Sequence, residues 1–176
     1  MNTVATFEKV SLPAFEEEAI KVIRDNGGNY TDDYMNEVIE EIYDEIKTPK
    51  RATTGSAGYD FFTPFGFTIH PGETIFIPTG IRTKIKDDWC LLLMPKSGLG
   101  FKYSVKLCNT IGLIDSDYYY SDNEGHIMAK FKNEGDRMLS LKRGDKFMQG
   151  IFVPFGITED DSTTGTRNGG FGSTGK

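Results

Sequence analysis

Residues 70–98 read "HPGETIFIPTGIRTKIKDDWCLLLMPKSG". Three apolar runs of strand length, residues 73–78, 81–85 and 89–94, stand between breaks, and Pro71-Gly72 and Asp87-Asp88 are turn signals. The same texture continues on either side. "GFTIH" (66–70), "SVKL" (104–107), "IMAKF" (127–131), "MLSL" (138–141) and "FMQGIFV" (147–153) are further short runs. They are punctuated by Asn133-Glu134-Gly135 and by the turn from Lys142 to Asp145. Strands with a turn every ~8–12 residues predict a sandwich, jelly roll or barrel over residues 49–160.

Upstream of Pro49 the period changes. Residues 11–26 place Phe15, Ala19, Val22 and Ile23 at helical spacing after a capping Ser11 and a first-turn Pro13, and Gly27-Gly28 stops the pattern. Residues 31–47 repeat it. Thr31 can cap, Asp32 and Asp33 suit the positive helix start, and Met35, Val38, Ile39, Ile42 and Ile46 form a stripe. Residues 1–48 are therefore expected to be an α-helical hairpin with one apolar face, packed on the β body. Residues 161–176, "DSTTGTRNGGFGSTGK", lose all apolar periodicity and read as a mobile tail.

The chain has 176 residues, enough for one sizeable core. No apolar run approaches membrane-spanning length, and "MNTVATFEKVSLP" lacks the basic and apolar regions of a secretory signal. A cytoplasmic protein is expected, which suits two cysteines, Cys90 and Cys108, that form no Cys-x-x-Cys pair. Two separated histidines, His70 and His126, supply neither a zinc site nor a Ser-His-Asp triad well. Charge is uneven. Residues 1–48 carry 12 acidic and 4 basic side chains, and the rest carry 14 and 16. The acidic segment argues against nucleic-acid binding, and the slightly basic remainder suits a small anion.

Several stretches carry chemistry, each weakly when taken alone. "GGFGSTGK" (169–176) matches seven positions of a P-loop, but no hydroxyl residue or helix follows Lys176, so no P-loop is expected. Its glycines, Ser173 and Thr174 still suit phosphate, and Phe171 is a lone aromatic that wants something to stack on. "GLIDSDYYY" (112–120) offers Asp115 and Asp117, which would share one face of a strand. An EF-hand loop needs an oxygen ligand at position 119 and glycine at 120, but both are tyrosine. "MPKSGLG" (94–100) places Lys96, Ser97 and Gly98 after an apolar strand, where amides, a hydroxyl and a cation could form an anion nest.

Together these stretches are specific. "SAGYD" (56–60), "PKSGLG" (95–100), "NTIGLIDSDY" (109–118), "RGDKFMQ" (143–149) and "RNGGFGSTG" (167–175) occur in the order and spacing of five motifs, and over residues 49–176 the chain resembles the trimeric dUTPase family. The resemblance implies a mainly β, jelly-roll or barrel core and hydrolysis of dUTP to dUMP and pyrophosphate, with Mg²⁺ on the triphosphate. It implies that Asp115 is the general base. Asn109, the backbone of Gly112 and Leu113, and Met128 on an opposing hairpin strand would hold uracil, with Tyr118 beneath the deoxyribose. Lys96, Ser97, Gly98 and Gln149 would meet phosphates, with Asp60 in support. Arg167, Ser173 and Thr174 would close on the phosphates, with Gly172 beside them and Phe171 stacked on the base. Sites would be shared within a homotrimer, with no nucleic-acid or membrane partner.

Three departures stand out. Lys96 replaces an arginine, losing the bidentate fork. "YYSDNEG" (119–125) extends the loop after Tyr118. The helical hairpin lies outside the common core and is expected to be decoration. It and the 119–124 insert are also the candidate surfaces for a protein partner. Two other readings fit parts of the sequence: a dCTP deaminase, which would want an arginine at the serine motif, and a regulatory module that senses dUTP.

Overall fold

The computed structural model describes residues 2–25 and 30–169. Eleven strands are found among the described residues: β1 Ala5–Lys9, β2 Lys50–Arg51, β3 Tyr59–Phe62, β4 Phe67–Ile69, β5 Thr74–Ile85, β6 Trp89–Pro95, β7 Val105–Leu107, β8 Gly112–Ile114, β9 Ile127–Asn133, β10 Leu139–Leu141 and β11 Lys146–Pro154. The helices are α1 Leu12–Asp25, α2 Asp32–Asp44 and a short α3 Ser97–Tyr103, with a 3-10 turn at Ser116–Tyr120. The strands form two main sheets, ordered β1-β5-β9-β7 and β2-β3-β11-β6-β8, with a β10-β4 ribbon at the side. This is the expected mainly β, jelly-roll architecture with an N-terminal α-helical hairpin.

The expected break between Pro78 and Ile81 is absent as a turn, for a local reason. β5 runs through it as one strand, with its register against β9 shifting between Pro78 and Ile81. Pro78 limits the ladder, and Gly80 takes φ +70°, so the extra residues are absorbed as a bulge rather than a hairpin. A side chain at Gly80 would also meet Ile46 Cδ1 at 2.3 Å and Phe15 Cδ2 at 3.2 Å. The bulge is where the helices sit down on the sheet.

The first ten residues differ from the expected hairpin. Ala5–Lys9 form a strand antiparallel to β5, pairing Glu8 with Arg82 and Phe7 with Thr83. Only Phe7 packs strongly along this stretch, against Tyr59, Phe61 and Phe152, so the period-two signal was faint. Both helices bury the stripes their spacing predicts: Phe15, Ala19 and Val22 on α1, and Met35, Ile39 and Ile42 on α2. Ser11 Oγ accepts from the Ala14 N–H as the cap, whereas Thr31 makes no side-chain cap bond. Phe15, Ala19, Met35, Ile39 and Ile42 join Ile77, Ile81 and Ile127 in one continuous core. Burying a side chain such as Phe15 contributes roughly 1.5–3 kcal/mol, so the hairpin is tied to the body by several such contributions.

Candidate functional site

The five-stranded sheet sets four of the five sequence stretches side by side. Asp60 on β3 lies opposite Gln149 on β11, and Gln149 lies opposite Met94 on β6. Gly112 on β8 lies opposite Leu93 on β6. Backbone pairing alone therefore brings residues distant in sequence to one surface.

At one end of β6 lies a cationic group. Asp60 is 3% exposed, and Lys96 Nζ donates to its Oδ1 at 2.6 Å. Lys146 Nζ approaches Oδ2 at 2.8 Å as an ion pair outside hydrogen-bond alignment. Burial works to raise the Asp60 carboxyl, but the Lys146 and Lys96 ammonium groups outweigh it, and its pKa lies below the usual carboxylate value. The trio carries a net positive charge. Ser97 and Gly98 are exposed at the start of α3, directly after Lys96. Gln149 Nε2 donates to the Pro95 carbonyl at 3.4 Å, and its Oε1 lies 3.3 Å from where a Cβ on Gly58 would stand. Lys146 escaped the sequence reading, because only the β3-β11 register carries it to Asp60.

Along β6 and β8 lies a cavity of about 340 Å³, lined by Asn109, Gly112, Met128, Leu93, Phe76 and Met148 among others. The expected hairpin between the two walls is not the arrangement found. β8 pairs with β6, and β9, which carries Met128, pairs with β5 and β7. The slot thus opens between two sheets, with Asn109 and Gly112 on one side and Met128 on the other. A side chain at Gly112 would be crowded, since a Cβ there would stand 3.0 Å from Leu93 Cβ. Leu113 points its side chain elsewhere: alternation along β8 leaves it 57% exposed and outside the cavity lining. Cys108, exposed, also lines the slot and was not anticipated there.

Beyond β8 comes the acidic group. Asp115 and Asp117 do not share a strand face, because the chain leaves β8 at Ile114 and turns into the 3-10 segment. They converge all the same on Arg167. Its Nε donates to Asp117 Oδ1 at 2.8 Å, and its Nη2 donates to Asp115 Oδ2. Arg167, expected against phosphates, here bridges two carboxylates that would otherwise repel each other. Its guanidinium also lies 5.7 Å from the Tyr118 ring centroid. Tyr118 is buried; its hydroxyl donates to the His126 carbonyl at 2.8 Å and accepts from Asn123 Nδ2 at 2.8 Å. Burial above all pushes its phenol pKa up. Phe171, Gly172, Ser173 and Thr174 lie outside the described residues.

The cationic and acidic groups are not adjacent within one chain. Ile114 faces Leu91, near the start of β6, whereas Ser97 follows the end of β6. At ~3.3 Å per strand residue, the groups stand roughly 20 Å apart.

Comparison with known proteins bears on what such a surface serves. The family model described as dUTPase matches residues 44–175. The deoxyuridine 5'-triphosphate nucleotidohydrolase of Lactococcus lactis is 38% identical over 133 residues, 74% of this chain and 89% of that protein. The enzyme of the same name from Haemophilus influenzae strain PittEE is 41% identical over 143 residues, 77% of this chain and 91% of that protein. Among solved structures, the dUTPase from Streptococcus mutans superposes with a TM-score of 0.61 at 30% identity, covering 87% of this chain and 98% of that one. A match over most of the sequence, spanning the stretches that β3, β6, β8 and β11 set side by side, makes this chain a member of the dUTPase family.

Proposed function

We propose that this protein hydrolyses dUTP to dUMP and pyrophosphate by attack of an Asp115-activated water on the α-phosphorus. Its family membership makes it a dUTP nucleotidohydrolase; the mechanism is our reading of the site. The observation that carries it is the layout of β8. One end lines a slot with Asn109 and Gly112, and the chain beyond the other end presents the Asp115 carboxylate. A base held in the slot would direct its sugar and phosphates along the strand toward that carboxylate.

In this mechanism Asp115 accepts a proton from water as the water oxygen bonds to phosphorus, and the bond to the bridging oxygen breaks with pyrophosphate leaving. Asn109 hydrogen-bonds uracil, Gly112 lets the base approach the backbone, and Met128 packs from the second sheet. Tyr118, buried and doubly hydrogen-bonded, leaves no room for a 2′-hydroxyl. Lys96, Ser97, Gly98 and Gln149 bind phosphate, while Asp60 sets the two lysines.

A resident metal ion does not suit the carboxylates present. Both Asp60 oxygens face ammonium groups, Asp115 and Asp117 share Arg167, and no cluster of three or more ligating side chains gathers among the described residues. Mg²⁺ is accordingly proposed as part of the substrate, carried on the triphosphate.

The roughly 20 Å between the cationic group and Asp115 supports a site assembled between copies of the chain. In a homotrimer, Asp115 and the slot of one copy would face Lys96, Ser97 and Gln149 of a neighbour. Residues 161–176 would then close over the nucleotide, with Arg167 moving from the carboxylates to the phosphates, Ser173 and Thr174 beside it, and Phe171 on the base. Stacking of that kind is worth on the order of 1–3 kcal/mol.

The test is pyrophosphate release from dUTP, dTTP, dCTP and UTP with Mg²⁺, measured on the full chain and on one ending at residue 164. Turnover confined to dUTP, and lost in the shortened chain, is the expected result. Equal turnover of UTP would overturn the role of Tyr118, full activity of the shortened chain would overturn the closure, and ammonia release from dCTP would point to a deaminase.

A further inference from the structure

The insert after Tyr118 and the segment before α1 are in contact, across 113 residues of sequence. Glu124 accepts from the Ser11 N–H at 2.8 Å through Oε2 and from the Ser11 hydroxyl at 2.5 Å through Oε1. One carboxylate thereby closes over the start of α1, where negative charge is favoured. A second tie runs beside it. Tyr119 donates to Glu8 Oε2 at 2.8 Å, its ring lies 4.5 Å from the Arg82 guanidinium carbon, and Arg82 Nη2 pairs with Glu8 at 3.2 Å.

The backbone at the fastening point is strained. Glu124 has φ +58° and Gly125 φ +68°, two successive left-handed residues of which only the second is glycine. That pair folds the insert back on itself. A Cβ on Gly125 would stand 2.7 Å from the Tyr118 carbonyl oxygen and 2.7 Å from Tyr119 Cα. Residues on either side of the pair, Asn123 and His126, make the two hydrogen bonds to the Tyr118 hydroxyl. The turn that Glu124 fixes is the turn that holds Tyr118.

We infer that Glu124, fastened by Ser11, is a positioning residue for Tyr118 and, through the Tyr118 N–H that donates to the Asp115 carbonyl at 3.2 Å, for Asp115, so that the N-terminal segment serves the active site. It acts through the loop and touches no substrate. This rests on the function proposed above, because it assigns sugar selectivity to Tyr118 and base action to Asp115. On that reading the N-terminal segment and the insert are one device: the first anchors the second.

The test compares Glu124→Gly, Ser11→Ala, Ser11→Thr and the double variant Glu124→Gly with Ser11→Ala. Glycine suits the left-handed backbone at 124, so the fold is kept while the anchor is lost. Loss of the anchor is expected to lower kcat on dUTP about 10-fold and to narrow the preference for dUTP over UTP by a similar factor, since small displacements of catalytic groups are costly. Ser11→Ala is expected to lose about 3-fold, having kept its backbone bond, and Ser11→Thr to restore it. The double variant should be no worse than Glu124→Gly alone, as the two residues act as one unit. Hydrogen exchange of amides 115–123 reads the same positioning without substrate and should quicken in Glu124→Gly. Unchanged kcat, preference and exchange in Glu124→Gly would overturn the inference, as would a drop in kcat explained wholly by a lower folded fraction. An unmodified chain unable to hydrolyse dUTP would overturn the proposed function instead, with the exchange rates still deciding the loop's anchorage.

Discussion

Asp60 and Asp115 are both carboxylates set by the same five-stranded sheet, yet they are held in opposite ways. Asp60 sits within a strand, buried, with its position fixed by pairing to Gln149 and its charge met by Lys96 and Lys146. Asp115 stands just past the end of the short strand β8, with its side chain 41% exposed and held by Arg167 from the far end of the chain. Backbone register places the first. A side chain recruited from far along the chain, Arg167, holds the second. On the proposed mechanism Asp115 meets water and substrate, which a carboxylate locked into a ladder could not do, so its precision would come from side-chain contacts that can be exchanged.

The largest effect expected from breaking this contrast is on the Asp115 side. Asp115→Asn keeps the shape and removes the proton acceptor, so kcat for dUTP should fall by at least roughly 10²-fold. Melting should change little, because the carboxylate is half exposed and its pairing with Arg167 is worth little to the fold. Steady-state kinetics with a thermal melt checks both halves. Near-normal turnover would remove Asp115 from the role of base.

These differences also explain what the sequence made legible. Strand runs such as 89–94 and the stripes of α1 and α2 are local patterns, and local patterns report burial directly. The five stretches were legible for a different reason, their resemblance in order and spacing to the motifs of a known family. Three things were not legible. β1 is short and mostly polar, and it owes its place to Phe7 packing on Tyr59, Phe61 and Phe152. Pro78-Thr79-Gly80 resembles a turn, but a bulge against β9 costs less there than a chain reversal. Lys146 at Asp60, Arg167 at Asp115 and Glu124 at Ser11 are contacts across long sequence separations, for which no periodicity exists to be read.

A second expected effect lies at the joint between the loop and the helices. His126 is 1% exposed, and its Nε2 accepts from the Gly80 N–H at 2.8 Å, so the neutral ring carries its proton on Nδ1. Burial pushes its pKa down from 6.5 to about 4, against smaller opposing influences from the Ala14 backbone and Glu124. A histidine with a folded value below its unfolded one favours the fold most while both states are neutral. That stabilisation is whole above about pH 6.5 and is lost as pH falls to about 4, because the unfolded chain binds the proton first. A shift of this size corresponds to something on the order of 3 kcal/mol. Chemical denaturation at pH 7, 6 and 5 should show stability falling across that range, with a flatter profile for His126→Gln. Equal slopes for the two proteins would show that the proton is taken up elsewhere.

The smallest expected effect is on the side that backbone pairing already fixes. Asp60→Asn keeps size and one acceptor but leaves Lys96 and Lys146 facing each other without the intervening charge. Lys146 is 47% exposed, so solvent screens much of its share, and the cost should be about 1–2 kcal/mol rather than the ~3–5 of a fully buried broken pair. Because the Asp60 pKa is lowered, its contribution is present above the unfolded carboxylate value near 4 and is lost as pH falls through the lower folded value. The variant should therefore be destabilised at pH 7 and approach the unmodified protein in acid. In kinetics it should raise KM more than it lowers kcat, since it disturbs the lysines proposed to bind phosphate and leaves the base in place. A kcat loss matching that of Asp115→Asn would mean that Asp60 takes part in the chemistry itself, and the division between a register-held support and a loop-held base would have to be redrawn.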